Sequence, residues 1–249
     1  RKQTLMDPLF VKKVCIDWTR VPVNSYLNHI PALKGVEEIS FRSPVTYFAG
    51  ENGTGKSTLL EGIAVAYGFN PEGGSRNYSF STYDTHSELW EAITLVRGIR
   101  QKKWGYFLRA ESFYNVATKE MEYADGSHPS MNFHERSHGE SFLALMQSRL
   151  SSPGLYILDE PEAALSPQRQ LTLLLEMKKA VEIGAQFVIA SHSPILLGYP
   201  GAEILSFDRG RIEKIQYEET ESYQVTEMFI NNREYLLKRL FSNEQEDGE

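Results

Sequence analysis

Cysteine is the scarcest feature of this sequence: Cys15 is the only one among 249 residues. A disulfide framework is therefore excluded, and the usage fits a reducing compartment, with the cytoplasm as the expected location. No apolar run approaches the roughly 18 to 20 residues that a membrane-spanning helix needs, so direct membrane insertion is not expected. The opening Arg1-Lys2-Gln3-Thr4-Leu5 reaches Asp7-Pro8 without a long apolar segment, and no secretory leader is expected there. Positive charge is also short: 26 Lys and Arg against 33 Asp and Glu leave a net −7. That balance gives no support to nucleic-acid binding through global basicity. Internal repeats and heptad runs are missing too. What is present, 41% hydrophobic and 12% aromatic residues, suffices for one large α/β domain over 1–249, or one domain with a lobe.

Short apolar runs that end in polar residues recur along the chain. Val45–Ala49 stops at Gly50, Leu155–Leu158 stops at Asp159, and Phe187–Ala190 stops at Ser191-His192-Ser193. Each reads as a buried strand. Between them, Lys56–Tyr67 has helical spacing closed by Gly68, Phe142–Leu150 is helical, and Pro167–Ile183 is amphipathic with Gly184 just past its end. This alternation predicts a mainly parallel sheet. Val11–Trp18 and Ile39–Phe41 are expected as further short strands, joined later by Leu89–Val96 and Gly105–Ala110. A short helix is expected over Phe113–Met121, and a hairpin over Ile204–Phe207 and Arg211–Ile215. Asn231–Phe241 should form a terminal helix before an acidic tail.

The sharpest motif is Gly50-Glu51-Asn52-Gly53-Thr54-Gly55-Lys56-Ser57, which matches G-x-x-x-x-G-K-[ST]. Its glycines permit backbone conformations that let successive N–H groups face one concavity and hold phosphate oxygens. The helix that starts near Lys56 adds the positive end of its dipole, and Thr58 continues that first turn. Lys56 would reach the β- and γ-phosphates, and the Ser57 hydroxyl would ligate Mg²⁺. By average composition, such a match arises by chance in about one chain in a hundred of this length. A strand before it and a helix after it make chance a weaker explanation still. Asp159 supplies a carboxylate for the metal shell, and Glu160 a base for an attacking water. Read alone, Asp159-Glu160-Pro161-Glu162 is equally an ordinary acidic turn.

In order, Gly50–Ser57, Ser137-His138-Gly139-Glu140, Leu158–Glu162, Ala164-Leu165-Ser166 and Ser191-His192-Ser193 resemble a soluble ABC-type ATPase of the SMC/RecF-like class, among its small members without coiled-coil arms. The resemblance implies a P-loop NTPase fold of the ABC ATPase head kind: a mainly parallel core sheet, an N-terminal antiparallel β part, and a small helical lobe over about 112–150. It implies ATP and Mg²⁺ as cofactors, and an ATP-dependent homodimer that acts on an unidentified protein partner. Ser137, Gly139 and Glu140 would form the signature that caps the γ-phosphate of the opposite subunit, with His138 where a glycine is usual. His192 would be the switch histidine, and Glu111 would stand at the Q-loop position as a further metal ligand. Only a polar loop fits between Phe113 and Ser137, so long DNA-tethering arms are not expected. DNA repair, phage defence and RNA-linked roles all fit this resemblance.

Other residues remain open between two readings. His128, His134 and His138 could suggest a metal, but without cysteines or a ligand framework they fit a polar loop better. Arg97, Arg100, Lys102 and Lys103 beside Trp104 could touch nucleic acid, or form a solvated loop. Tyr26 could stack on adenine or sit in the core. A transporter ATPase subunit, a P-loop kinase and a non-hydrolysing nucleotide-regulated module are the competing functions.

Overall fold

The computed structural model describes residues 9–71, 73–74, 88–99, 104–109 and 138–243. Its centre is a six-stranded sheet with strand order β5-β6-β7-β3-β8-β9. The strands are β3 (Val45–Ala49), β5 (Gly105–Arg109), β6 (Leu155–Asp159), β7 (Gln186–Ala190), β8 (Glu203–Ser206) and β9 (Glu213–Ile215). All pairings are parallel except β8 with β9, which forms the expected hairpin. The strands β1 (Val11–Ile16), β2 (Glu38–Ser40) and β4 (Ile93–Arg97) make a separate antiparallel sheet of order β2-β1-β4. The α/β architecture expected from the alternating runs is thus the one observed.

Alternation along the buried strands explains why two layers of packing form. In β6, Leu155 and Ile157 face one core, while Tyr156 and Leu158 face the other. The first core receives α1 (Lys56–Tyr67), α2 (Leu89–Ala92) and the antiparallel sheet. The second receives α3 (His138–Arg149), α4 (Pro167–Glu182) and α5 (Pro194–Leu197). One buried side chain ties the two sheets together. Gln186 Oε1 accepts from the backbone N–H of Phe10 and Val11, at 2.7 and 2.9 Å, and its Nε2 donates to the Val11 carbonyl. A buried amide so fully paired fixes how the N-terminal strand meets the core.

Several element boundaries differ from expectation; α3 begins at His138, four residues before Phe142, and β9 begins at Glu213, two after Arg211. The first strand stops at Ile16, because Asp17 Oδ1 accepts from the Thr19 N–H and hydroxyl and caps a 3-10 turn at Trp18–Arg20. The strand expected over Leu89–Val96 begins only at Ile93. Its first four residues form α2, since Leu89 and Ala92, one turn apart, are both buried in the core with α1. The terminal helix α6 runs from Glu221 to Asn243, ten residues earlier than expected, with a kink at Asn232 (φ −132°, ψ 28°). Of the helical lobe, only α3 lies within the described residues, and the short helix expected over 113–121 lies outside them. No described helix is long and apolar enough to cross a membrane.

Candidate active site

The C-terminal ends of β3, β6 and β7 lie side by side, and the turns that leave them build the site. After β3, Gly50, Gly53 and Gly55 take φ values of 140°, 83° and 101°. A side chain is obstructed at two of them. A Cβ on Gly50 would come 2.9 Å from Asp208 Oδ1, and one on Gly55 would come 2.6 Å from Ile30 Cγ2. Gly55 precedes α1 with no side-chain cap. The first N–H groups of α1 therefore lack intrahelical partners and are suited to an anion. The loop is braced from within by the Thr54 hydroxyl, which donates to the Glu51 carbonyl, and from outside by Asp208 Oδ1, which accepts from the Glu51 N–H at 3.1 Å. Lys56 Nζ donates to the carbonyls of Gly50 and Glu51, both at 2.7 Å. Burial pulls the Lys56 ammonium below the usual lysine range, opposed by the carboxylates of Glu160, Asp208, Asp159 and Glu162.

Across from the loop, Asp159 is the last residue of β6 and is nearly buried. Ser57 donates its hydroxyl to Asp159 Oδ1 at 2.8 Å, and Arg109 Nε lies 3.4 Å from Oδ2. Burial raises the Asp159 carboxyl above its ordinary value, while the Ser57 hydrogen bond and the Arg109 charge pull it back. Two oxygens at this spacing suit adjacent corners of an octahedron with bonds of about 2.1 Å, where the corner-to-corner distance is about 3.0 Å. The donor set at Ser57 and Asp159 is oxygen only, and it fits Mg²⁺. Glu160 follows in a left-handed conformation (φ 48°, ψ 52°) at the start of the 3-10 turn Pro161–Ala164. Glu162 Oε1 accepts from the Ser191 hydroxyl at 2.8 Å and the His192 N–H at 2.7 Å, with His192 Nδ1 at 3.3 Å.

Two clefts result. One of about 560 Å³ brings together Lys56, Ser57, Thr58, Asp159 and Glu160, with Asn52, Gly53 and Gly55 of the loop and Arg109, Tyr26 and Ile30 at its walls. A second of about 470 Å³ holds His192 with Gly50, Glu51, Asn52 and Asp208, so the loop divides them. His192 is therefore beside the phosphate loop, but in the second cleft. Glu140 lines neither cleft; it pairs with Arg169 on α4 at 3.0 Å in an exposed contact. Gly139 falls within α3. Ser137, Glu111, His128 and His134 lie outside the described residues, as do Arg100, Lys102 and Lys103. Arg97 lies over the Tyr67 ring, 5.1 Å from its centre.

Four residues of this neighbourhood escape the motif reading. Arg109 ends β5 in register with Asp159, and its Nη1 also meets Glu61 of α1 at 2.8 Å. Glu162 carries the Ser191–His192 turn. Asp208 braces the loop and is itself held by the Ser206 hydroxyl, 3.2 Å from Oδ2. Gln170 Oε1 accepts from the Ser193 hydroxyl at 2.5 Å. The usable signal was position. Arg109 and Asp208 each stand where an apolar run ends at the same edge of the sheet.

A family model described as "AAA domain, putative AbiEii toxin, Type IV TA system" matches residues 141–198, and one described as "AAA domain" matches residues 24–126. The first covers the carboxylate and histidine turns, the second the phosphate loop. Among curated relatives, the chain is 26% identical over 153 residues to the "Uncharacterized ABC transporter ATP-binding protein YthP" of Bacillus subtilis (strain 168), covering 57% of this chain and 62% of that one. It is 24% identical over 211 residues to the "sn-glycerol-3-phosphate import ATP-binding protein UgpC" of Vibrio vulnificus (strain YJ016), covering 78% of this chain and 56% of the other. The chain thus spans less than two thirds of the length of either relative. Among solved structures, the "SMC head domain from Thermotoga maritima" aligns with a TM-score of 0.47 at 16% identity, over 84% of this chain and 100% of that one. CbiO1 from Clostridium perfringens, part of the ABC transporter complex cbiONQ, also gives 0.47 at 16%, over 92% and 99%.

Two separate stretches of the chain thus match models of AAA domains, one over the phosphate loop and one over the carboxylate and histidine turns, each less than half of the chain.

Proposed function

We propose that the chain binds ATP with Mg²⁺ and hydrolyses it, as one ATPase domain that closes head to tail on a second copy around two nucleotides. The observation that carries this reading is the convergence of the Lys56 ammonium, the Ser57–Asp159 oxygen pair and the Glu160 carboxylate on one cleft. Gly50–Thr58 hold the phosphates, and Lys56 offsets charge on the β- and γ-oxygens. Ser57 and Asp159, joined by Glu111, hold Mg²⁺, which supplies further charge neutralisation when bound. Glu160 takes a proton from the attacking water. His192, with its ring beside Glu162 and its main chain fixed, reports on the γ-phosphate from the neighbouring cleft. Tyr26, half exposed at the wall of the main cleft, stacks on adenine. Ser137, Gly139 and Glu140 complete the partner's site, and α3 begins at this segment.

In this reading the triphosphate bridges two chains, and loss of the γ-phosphate opens that bridge. The released closure does work on a protein partner in the cytoplasm. The description of the model that matches 141–198 names a toxin of a type IV TA system, and a phage-defence or DNA-repair setting for that work is part of this proposal. The printed names of the curated relatives favour a second reading, an ATP-binding subunit for a transporter. Copurification with a permease would decide for it.

The test uses purified chain with ATP and Mg²⁺. Phosphate release is expected from the native protein. Glu160→Gln should bind ATP but turn over about a thousand-fold more slowly, and should accumulate as a closed dimer. A mixture of Lys56→Ala and Ser137→Arg chains should regain activity that neither has alone. Transfer to an added acceptor without phosphate release would instead mark a kinase, and binding with no turnover a regulatory module.

A further inference from the structure

The terminal helix α6 is the least covered element of the described fold. Its Leu236 and Leu237 are half-buried, and its first turns meet the body: the Tyr223 ring packs edge-on to Tyr217 at 4.8 Å, and Gln224 donates to the Glu218 carbonyl. Beyond them, Val225, Met228, Phe229, Ile230, Tyr235, Leu240 and Phe241 are 40 to 71% exposed. These are seven of the sixteen large exposed apolar side chains among the described residues, gathered in one helix of 23. Scattered apolar residues on a surface need no explanation, but this concentration does.

We propose that α6 pairs with α6 of a second copy of this chain, antiparallel, about a two-fold axis that passes between Asn232 and Arg233. Two features identify this occupant. The first is the order of the apolar residues. Val225 and Leu240 are equally far from that point, as are Met228 and Leu237, Phe229 and Leu236, and Ile230 and Tyr235. In a two-fold antiparallel pair, positions equidistant from the axis meet at the same level. At 100° per residue Val225, Phe229, Leu236 and Leu240 share one face, so two of these pairs meet across the seam, while Met228 with Leu237 and Ile230 with Tyr235 lie to its sides.

The second feature is charge. From Glu221 to Asn232 the helix carries Glu221 and Glu227 and no basic residue; from Arg233 to Asn243 it carries Arg233, Lys238 and Arg239 against Glu234. The halves are therefore −2 and +2. Antiparallel pairing sets each half against its opposite, whereas parallel pairing sets like against like. A lipid surface would require neither feature, and an anionic one would repel the first half. The helix is about 34 Å long at 1.5 Å per residue. Two such helices side by side bury on the order of 1,000 Å², the lower end of a specific interface. This contact is independent of the hydrolysis reading and needs no nucleotide.

The test uses the full chain carrying Cys15→Ser, so that introduced thiols are the only ones. Sedimentation at micromolar concentration without nucleotide should give a dimer, and the Lys56→Ala chain should give the same. Phe229→Asp with Leu236→Asp should yield monomer with an unchanged circular dichroism spectrum. Under mild oxidation, Arg233→Cys should cross-link to itself. Val225→Cys and Leu240→Cys should each cross-link about tenfold less alone than when mixed. A monomeric parent chain would overturn the proposal, whether α6 proves covered by the chain's own segments or binds anionic vesicles. So would a dimer that the double aspartate leaves intact, or Val225→Cys cross-linking to itself as well as Arg233→Cys does.

Discussion

On one side of the main cleft, Gly50–Ser57 makes its surface from main chain: three glycines at positive φ, an uncapped helix start, and a lysine turned onto loop carbonyls. On the other side, Asp159, Glu160 and Glu162 work through side chains, and Asp159 and Glu162 are set by neighbours from other elements. The first half depends on what the backbone is allowed to do, and the second on what surrounds a charge. A loop of the first kind fails when a methyl group is added. A cluster of the second kind fails when a distant partner is removed.

The largest effect on stability is expected at Gly55. Alanine there is strained at φ 101°, and its methyl would press on Ile30 at 2.6 Å. Strain and overpacking together should cost about 3 kcal/mol in urea unfolding. A loss well below 1 kcal/mol would mean that the loop adapts, and that its backbone is not what shapes the site.

Arg109→Ala probes the opposite half. It withdraws one guanidinium from both Asp159 and Glu61, two nearly buried carboxylates. Because Arg109 itself is about a quarter exposed, solvent takes up part of the change, and about 2 kcal/mol is expected. Equal stability of variant and parent in the same assay would show that Ser57 alone organises Asp159.

The smallest effect concerns pH. Burial raises the Asp159 carboxyl in the fold, so the folded chain holds that proton more tightly than the unfolded one. Its contribution favours the fold below the ordinary value of 3.8 and is lost as pH rises through the raised value. Asp159→Asn removes that loss. Its stability relative to the parent should climb as pH rises past the ordinary value of 3.8 and level off above the raised one, as read from urea midpoints. A flat difference would place the carboxylate in balance with Ser57 and Arg109.

The same contrast governs what the sequence disclosed. The phosphate loop, its strand and its helix were legible to the residue, because Val45–Ala49, Gly50–Ser57 and Lys56–Tyr67 obey local rules of burial, glycine conformation and periodicity. The ends of β6 and β7 were legible for the same reason. Arg109, Glu162 and Asp208 were given no role of their own, since their significance lies in partners 29 to 157 residues away. Glu111 drew attention next to Arg109 because a family pattern pointed there, while strand register, invisible in one sequence, aligned Arg109 with Asp159. The early start of α6 was missed because Glu221–Ile230 lacks the one-sided burial that marks a packed helix.

Glu160 occupies a backbone region that asparagine or glycine enters readily and glutamate enters at about 1 kcal/mol. No cap hydrogen bond from its side chain offsets that tension. Replacement by glycine would relax the turn and delete the carboxylate in the same step. Under the proposed function, durability and turnover therefore pull this single position in opposite directions, and a lineage bred only for heat resistance would be drawn toward a sturdier, silent protein.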